Sequence, residues 1–92
     1  MVSLPALPAR LTHAESPACL AACEAALRRG AAGEPALLDA GALQDFDSSA
    51  VALLLALLRV ARERGVELRL HALPQRLREL AVLYGVGELL PG

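Results

Sequence analysis

Residues 47–65 read DSSAVALLLALLRVARERG, and this stretch decides the fold. Asp47 and Ser48 can both accept hydrogen bonds from the free N–H groups of a first helical turn. Gly65 follows the last residue of the apolar pattern, at the position where a helix commonly ends. The stretch therefore predicts a helix over residues 48–64.

This predicted helix has two different faces. On a helical wheel, one cluster of apolar side chains forms the face that we expect to enter the core, namely Ala50, Leu54, Leu57, Leu58 and Ala61. A second arc of about 80° carries small and charged side chains, namely Ser48, Ala52, Ala56, Arg59 and Glu63. We expect this second arc to meet solvent or a partner.

Short apolar stretches on both sides of the helix predict strands. Residues 36–40 lie between Pro35 and Gly41, and residues 66–71 alternate strictly between apolar and polar side chains. A strand, a helix and a second strand in this order form a βαβ unit. The two strands are therefore expected to be parallel, with a right-handed crossover.

Two more helices and an N-terminal arm complete the prediction. Residues 17–29 form a helix with Ser16 as its N-cap, Gly30 as a left-handed residue past its end, and a buried stripe of Leu20, Cys23 and Leu27. Residues 74–84 form a third helix that stops before Gly85 and places Leu77, Leu80, Ala81 and Tyr84 at helical spacing. Residues 2–11 can form only an edge strand or a loose arm, because two prolines remove ladder donors.

The length fits one domain over residues 1–92, and the predicted strands and three helices make it an α/β domain. Hydrophobic residues make up 55% and aromatic residues 2%, so the core must be aliphatic. The longest apolar run, residues 50–58, is less than half of the ~20 residues needed to span a bilayer as a helix. No direct membrane insertion is therefore expected. The first residues include two prolines and no basic or long apolar stretch, which does not resemble a secretory signal, so we expect a cytoplasmic protein.

The charged residues exclude several functions. Nine arginines and ten acidic residues give a net charge of −1 without a basic block, so nucleic acid is not an expected partner. The chain contains no lysine, which excludes a P-loop and Schiff-base chemistry. No cofactor is expected.

Ser48 and Ser49 fall at a helix N-terminus, where hydroxyl groups ordinarily act as caps. A nucleophilic serine needs a base, and neither His13 nor His71 has a sequence context that places it nearby, so serine hydrolase chemistry is not expected. Cys19 and Cys23 are one helical turn apart, which suits buried thiols better than a disulfide, and no metal site is expected.

Together, several stretches resemble the STAS domain family, which includes anti-sigma-factor antagonists and sulfate-transporter tails. The resemblance covers residues 36–92 and rests on LLDA at 37–40, DSSA at 47–50 and RERGVEL at 62–68. Residues 73–91 are similar to the STAS subunit of the Mla-type ABC transporter, which moves phospholipid to maintain outer-membrane asymmetry. The resemblance implies a STAS-like α/β fold with a small mixed sheet and three helices. STAS domains usually open with a β-hairpin, so the first family strand is expected to be missing here.

The resemblance implies a non-catalytic regulatory protein with one of two partners. In the transporter branch the position of Ser48 touches the ATPase subunit, whereas in the antagonist branch the position of Ser49 is phosphorylated by an anti-sigma kinase. We expect the transporter function, with the antagonist as the alternative. The expected partner-binding surface joins the start of the central helix to a flank of the third helix: Ser48, Ser49, Ala52, Ala56, Arg59, Arg76, Glu79 and Leu83.

Overall fold

The structure, a computed structural model, describes residues 1–91. Its helices are α1 (Ser16–Arg29), α2 (Ser48–Glu63), α3 (Gln75–Leu83) and a 3₁₀ turn, Gly87–Leu89. Its strands are β1 (Val2–Ser3), β2 (Arg10–Leu11), β3 (Ala36–Asp39), β4 (Asp45–Phe46) and β5 (Leu68–His71). The predicted α/β class with three helices is confirmed. Each helix boundary either matches the predicted one or differs from it by one residue.

A three-stranded sheet in the order β1-β3-β5 forms the centre of the fold. Strands β3 and β5 are parallel, with Ala36 opposite Leu68 and Asp39 opposite His71, and α2 connects them. The predicted βαβ unit is therefore confirmed, although β5 begins at Leu68 rather than at residue 66. All strand pairings in residues 1–91 are parallel, so the expectation of mixed pairing is corrected.

The N-terminal arm contributes two short strands rather than a hairpin. Strand β1 lies at the sheet edge beside β3, and β2 pairs with β4 in a separate two-stranded sheet. Between them, Leu7 is buried and its N–H donates to the carbonyl oxygen of Asp39 at 2.9 Å. The arm is thus held to the domain by a few backbone hydrogen bonds and buried leucines, and β1 is the edge strand that the prolines predict.

Helix α2 begins and ends where the sequence indicates. The Asp47 side chain accepts from the Ser49 N–H, and Gly65 has a φ of 66°, a left-handed conformation that a glycine adopts without steric cost. Four of the five predicted core residues are buried, whereas Leu58 is half-buried. Val51, Leu53 and Val60 are buried as well, because α1 and α3 both pack against α2.

Two predicted helix ends are wrong in detail. Ser16 is the first residue of α1, and Glu15 occupies the N-cap position without a side-chain cap. Gly30 is extended rather than left-handed, with φ −71° and ψ 158°. Its N–H still donates to the carbonyl oxygen of Ala26, and its own carbonyl oxygen accepts from Nη2 of Arg64 at 2.8 Å, so a tertiary hydrogen bond holds the chain just past the helix end.

The core is aliphatic, as the composition predicts, and consists almost entirely of leucine, alanine and valine side chains. Each fully buried leucine, such as Leu54 or Leu57, stabilises the fold by about 1.5–3 kcal/mol relative to an exposed one. Neither aromatic residue is in the buried core, since Phe46 is half-buried and Tyr84 is exposed. None of the helices described for residues 1–91 has the length and apolar character needed to cross a bilayer.

Candidate functional site

The start of α2 is fixed by the carboxylate of Asp47. Its Oδ1 accepts from the Ser49 N–H at 2.8 Å, and its Oδ2 accepts from the His13 N–H at 3.2 Å. The imidazole Nδ1 of His13 lies 3.6 Å from the same Oδ2. The Ser49 N–H and the other hydrogen bonds lower the pKa of Asp47 below its usual value of 3.8. Asp47 therefore stays ionised and joins the helix start to the N-terminal arm.

The two predicted hydroxyl groups differ in exposure. Ser48 is exposed, whereas Ser49 is half-buried. Among residues 1–91, no hydrogen bond joins either hydroxyl to a histidine, and the His13 side chain is 87% exposed beside Asp47. This arrangement presents Ser48 to a partner and gives neither serine a base that could activate it as a nucleophile.

Ser48 lies at the rim of a shallow apolar hollow of about 290 Å³. The lining comes from the exposed side of α2 and from the chain that follows α3: Ser48, Val51, Ala52, Leu55, Tyr84 and Val86. Every lining residue except Ser48 presents apolar carbon, and Tyr84 adds one hydroxyl group. The hollow can therefore accept an apolar side chain beside a hydrogen-bonding group.

A neighbouring hollow of about 430 Å³ lies against the exposed flank of α3 and is lined by Phe46, Arg76, Glu79, Leu80 and Leu83. The Arg76 guanidinium lies 4.8 Å from the centre of the Phe46 ring, a cation–π contact. Because Phe46 is two residues before Ser48, this contact brings the α3 flank to the start of α2. We call these residues the α2–α3 surface: Phe46, Ser48, Ala52, Arg76, Glu79, Leu83 and Tyr84.

The structure thus brings together most of the predicted partner-binding residues. Ala52, Arg76, Glu79 and Leu83 are exposed on or beside the α2–α3 surface. Ala56 is half-buried, and Arg59 is exposed one to two turns further along α2. Ser49 does not line either hollow; it is half-buried, and its N–H donates to the Asp47 carboxylate.

Sequence reasoning missed two contributors to this surface. Helical spacing groups Tyr84 with Leu77, Leu80 and Ala81, but 55% of Tyr84 is exposed and it lines the hollow beside Ser48. Phe46 was given no role, although it anchors Arg76. One signal was present in the sequence: these are the only two aromatic residues of the chain, and aromatic residues are enriched at interfaces.

The cysteines lie away from this surface, on α1. Cys23 is fully buried, and its thiol donates a weak hydrogen bond to the carbonyl oxygen of Pro5 at 3.6 Å. Burial raises the pKa of Cys23 to about 12, and burial also raises the pKa of half-buried Cys19. Both are free thiols, and no group of three or more ligating side chains suited to a metal ion occurs within residues 1–91.

The sequence matches the family model described as "Mlab, STAS domain" over residues 6–91. The chain belongs to the STAS domain family. A comparison with curated proteins gave no match, so no individual relative adds a partner to that assignment. STAS domains serve in protein interaction and regulation and are generally non-catalytic, which agrees with a site built from apolar hollows and unactivated hydroxyl groups.

Proposed function

We propose that this STAS domain is a non-catalytic regulatory subunit that docks on the ATPase subunit of an ABC transporter for phospholipids. The transporter would maintain the lipid asymmetry of the outer membrane. Docking would stabilise or activate the ATPase and would hold the domain at the cytoplasmic face of the inner membrane. The α2–α3 surface is the part of the domain that makes this contact.

The observation that carries the proposal is that α2 and α3 share one exposed surface. Ser48 and Ala52 are exposed with small side chains, so the backbone of another protein can approach the first turns of α2 closely. Beyond them, 79% of Leu83 and 55% of Tyr84 are exposed. Burying these two side chains against a partner is favourable by about 25 cal/mol for each Å² of apolar surface.

Charged residues at the edge of the surface give the contact an orientation. Arg76 and Glu79 line the hollow next to Phe46 and are both exposed. Neither forms an ion pair with another residue among residues 1–91. Exposed charges at an interface rim mainly set association rate and specificity, whereas the apolar centre provides most of the affinity.

A pull-down with the ATPase subunit of the phospholipid transporter from the same organism tests this proposal. We expect Ser48→Arg and Ala52→Glu to abolish capture, because a long side chain there blocks close approach. The matched controls, Ala18→Arg and Ala21→Glu, put the same side chains on the exposed face of α1 and should be captured like the wild type. Equal capture of all four variants would refute docking through the α2–α3 surface.

A further inference from the structure

The hollow beside Ser48 continues along α2 into a second hollow. This second hollow, of about 280 Å³, is lined by Leu55, Leu58, Arg59, Arg62 and Leu89. Leu55 lines both hollows, so they form one groove between α2 and the chain that follows α3. We call it the α2 groove. The α2 groove extends along α2 beyond the α2–α3 surface, on which the docking proposal rests.

The two ends of the α2 groove differ in charge. The hollow beside Ser48 has no charged lining residue, whereas the far hollow has two arginines and no acidic residue. Arg59 and Arg62 are both exposed, and neither forms an ion pair with any residue among residues 1–91. The far end of the groove is therefore complementary to carboxylates.

The far end is also apolar at its floor. Leu55 and Leu58 are half-buried, and 60% of Leu89 is exposed at the opposite wall. A large exposed apolar side chain facing two partly covered leucines leaves apolar surface in contact with water. An apolar side chain flanked by carboxylates would match both the floor and the two arginines.

The distance between the two hollows favours a helix over a strand as the segment that binds in the groove. Ala52 in the first hollow and Arg59 in the second are seven residues apart on α2, which is about 10 Å at 1.5 Å per residue. Residues i and i+7 of a helix are also about 10 Å apart and lie on the same face. In a strand, two residues about 10 Å apart are i and i+3, and their side chains point to opposite faces.

We propose that the α2 groove holds an amphipathic helix of the partner, with two apolar side chains two turns apart in the two hollows and a carboxylate beside Arg59 and Arg62. This inference rests on the proposed docking to the ATPase subunit. It specifies the binding mode, a helix laid in a groove, and the chemistry of the segment that binds.

Affinity measurements with the ATPase subunit test the charged end. We expect the double variant Arg59→Glu/Arg62→Glu to bind on the order of tenfold more weakly at low salt, and less than this at high salt, where charges are screened. Arg28→Glu/Arg29→Glu changes the net charge by the same amount on α1 and should bind like the wild type. Equal affinities for the two double variants would overturn the acidic contact.

The apolar lining of the same far hollow is tested by its own matched pair of variants. Leu89→Asp should weaken binding, whereas Val82→Asp should not, because Val82 is 67% exposed but lines a different hollow with Gly85, Gly87 and Glu88. If Leu89→Asp and the Arg59/Arg62 variant both bind normally while Ala52→Glu does not, the helix is refuted and docking stands. If Ala52→Glu also binds normally, docking itself is refuted.

Cross-linking identifies the occupant directly. A photoreactive amino acid at position 89, in the complex of the full chain with the ATPase subunit, should attach to one partner segment. We expect that segment to carry apolar residues at positions i, i+3 or i+4, and i+7, with Asp or Glu beside them. A segment with alternating apolar residues, or one without acidic residues, would overturn the proposal.

Discussion

The guanidinium of Arg76 lies 4.8 Å from the centre of the Phe46 ring. Arg76 is in the first turn of α3, and Phe46 is the last residue of β4, immediately before the cap of α2. The contact therefore joins the beginnings of two helices that are far apart in the sequence. It places the α3 flank beside the start of α2, within the α2–α3 surface.

The first prediction concerns this contact. Because Arg76 is exposed and Phe46 only half-buried, we expect a coupling of about 0.5–1 kcal/mol between Arg76→Gln and Phe46→Leu in a double-mutant cycle of unfolding free energies. Urea denaturation of the four proteins gives the value. A parallel cycle with Arg29→Gln, on the exposed end of α1, should show no coupling. The pairing is wrong if both cycles give the same result.

A second prediction separates stability from binding. Leu83 is 79% exposed, so Leu83→Ala should change the unfolding free energy by less than about 0.5 kcal/mol while weakening capture by the ATPase subunit. Leu54 is fully buried in α2, so Leu54→Ala should cost about 2–5 kcal/mol. Denaturation and pull-down on the same two variants provide the measurement. A large stability loss in Leu83→Ala would show that this side chain serves the fold.

The sequence was sufficient to predict α2 and the βαβ unit, because both depend on local chemistry. Asp47 can cap only the residues that follow it, Gly65 permits the left-handed turn, and strict alternation in residues 66–71 separates the two faces of a strand. These signals also placed Ser48 and Ala52 on the exposed side of α2, where the structure has them.

The rest of the site depends on which elements pack together, and a helical wheel does not contain that information. The wheel could not show that Val51, Leu53 and Val60 would be covered, because their burial requires two further helices on the flanks of α2. Likewise, Tyr84 and Leu89 reach the α2 groove only through the path of the chain after α3.

A third prediction concerns thiol reactivity. Burial raises the pKa of Cys23 to about 12, so at pH 8 this side chain is almost entirely the unreactive thiol, and it is fully buried. We expect iodoacetamide at pH 8 to leave Cys23 unmodified in the folded protein and to alkylate it after unfolding. Both cysteines lie in the tryptic peptide 11–28, so fragmentation of this peptide in a mass spectrometer distinguishes Cys23 from Cys19, which is half-buried and should react first. Alkylation of Cys23 in the folded protein would contradict the buried contact with Pro5.

A fourth prediction follows from the lowered pKa of Asp47. The folded protein holds this carboxylate ionised through the Ser49 N–H and the other hydrogen bonds, so its pKa lies below the value of 3.8 expected when unfolded. Stability from this group is fully present above that value and is lost as the pH falls through the folded pKa. Asp47→Asn keeps an oxygen for the cap but does not titrate.

We therefore expect the stability difference between the wild type and Asp47→Asn to be constant at mildly alkaline pH and to shift against the wild type at acidic pH. Urea midpoints measured for both proteins across this range provide the comparison. The pKa of Glu15 is also lowered, chiefly by the hydrogen bond from the Thr12 side chain. Glu15 is present in both proteins, so its titration cancels in the stability difference between them. Parallel midpoints down to the acid limit would mean that Asp47 does not cap α2 as an anion.

The last prediction separates the two STAS functions at Ser49. An anti-sigma factor antagonist would be phosphorylated there by its partner kinase. Ser49 is half-buried and its N–H is bonded to the Asp47 carboxylate at 2.8 Å, so a phosphate of about −1.5 to −2 charge would be close to an existing anion. We therefore expect an anti-sigma serine kinase and ATP to add no phosphate, as judged by intact mass.

Asp47→Asn removes the opposing charge and shows whether repulsion is the obstacle. Stoichiometric phosphate on Ser49 of the wild type would instead favour the antagonist function over transporter docking.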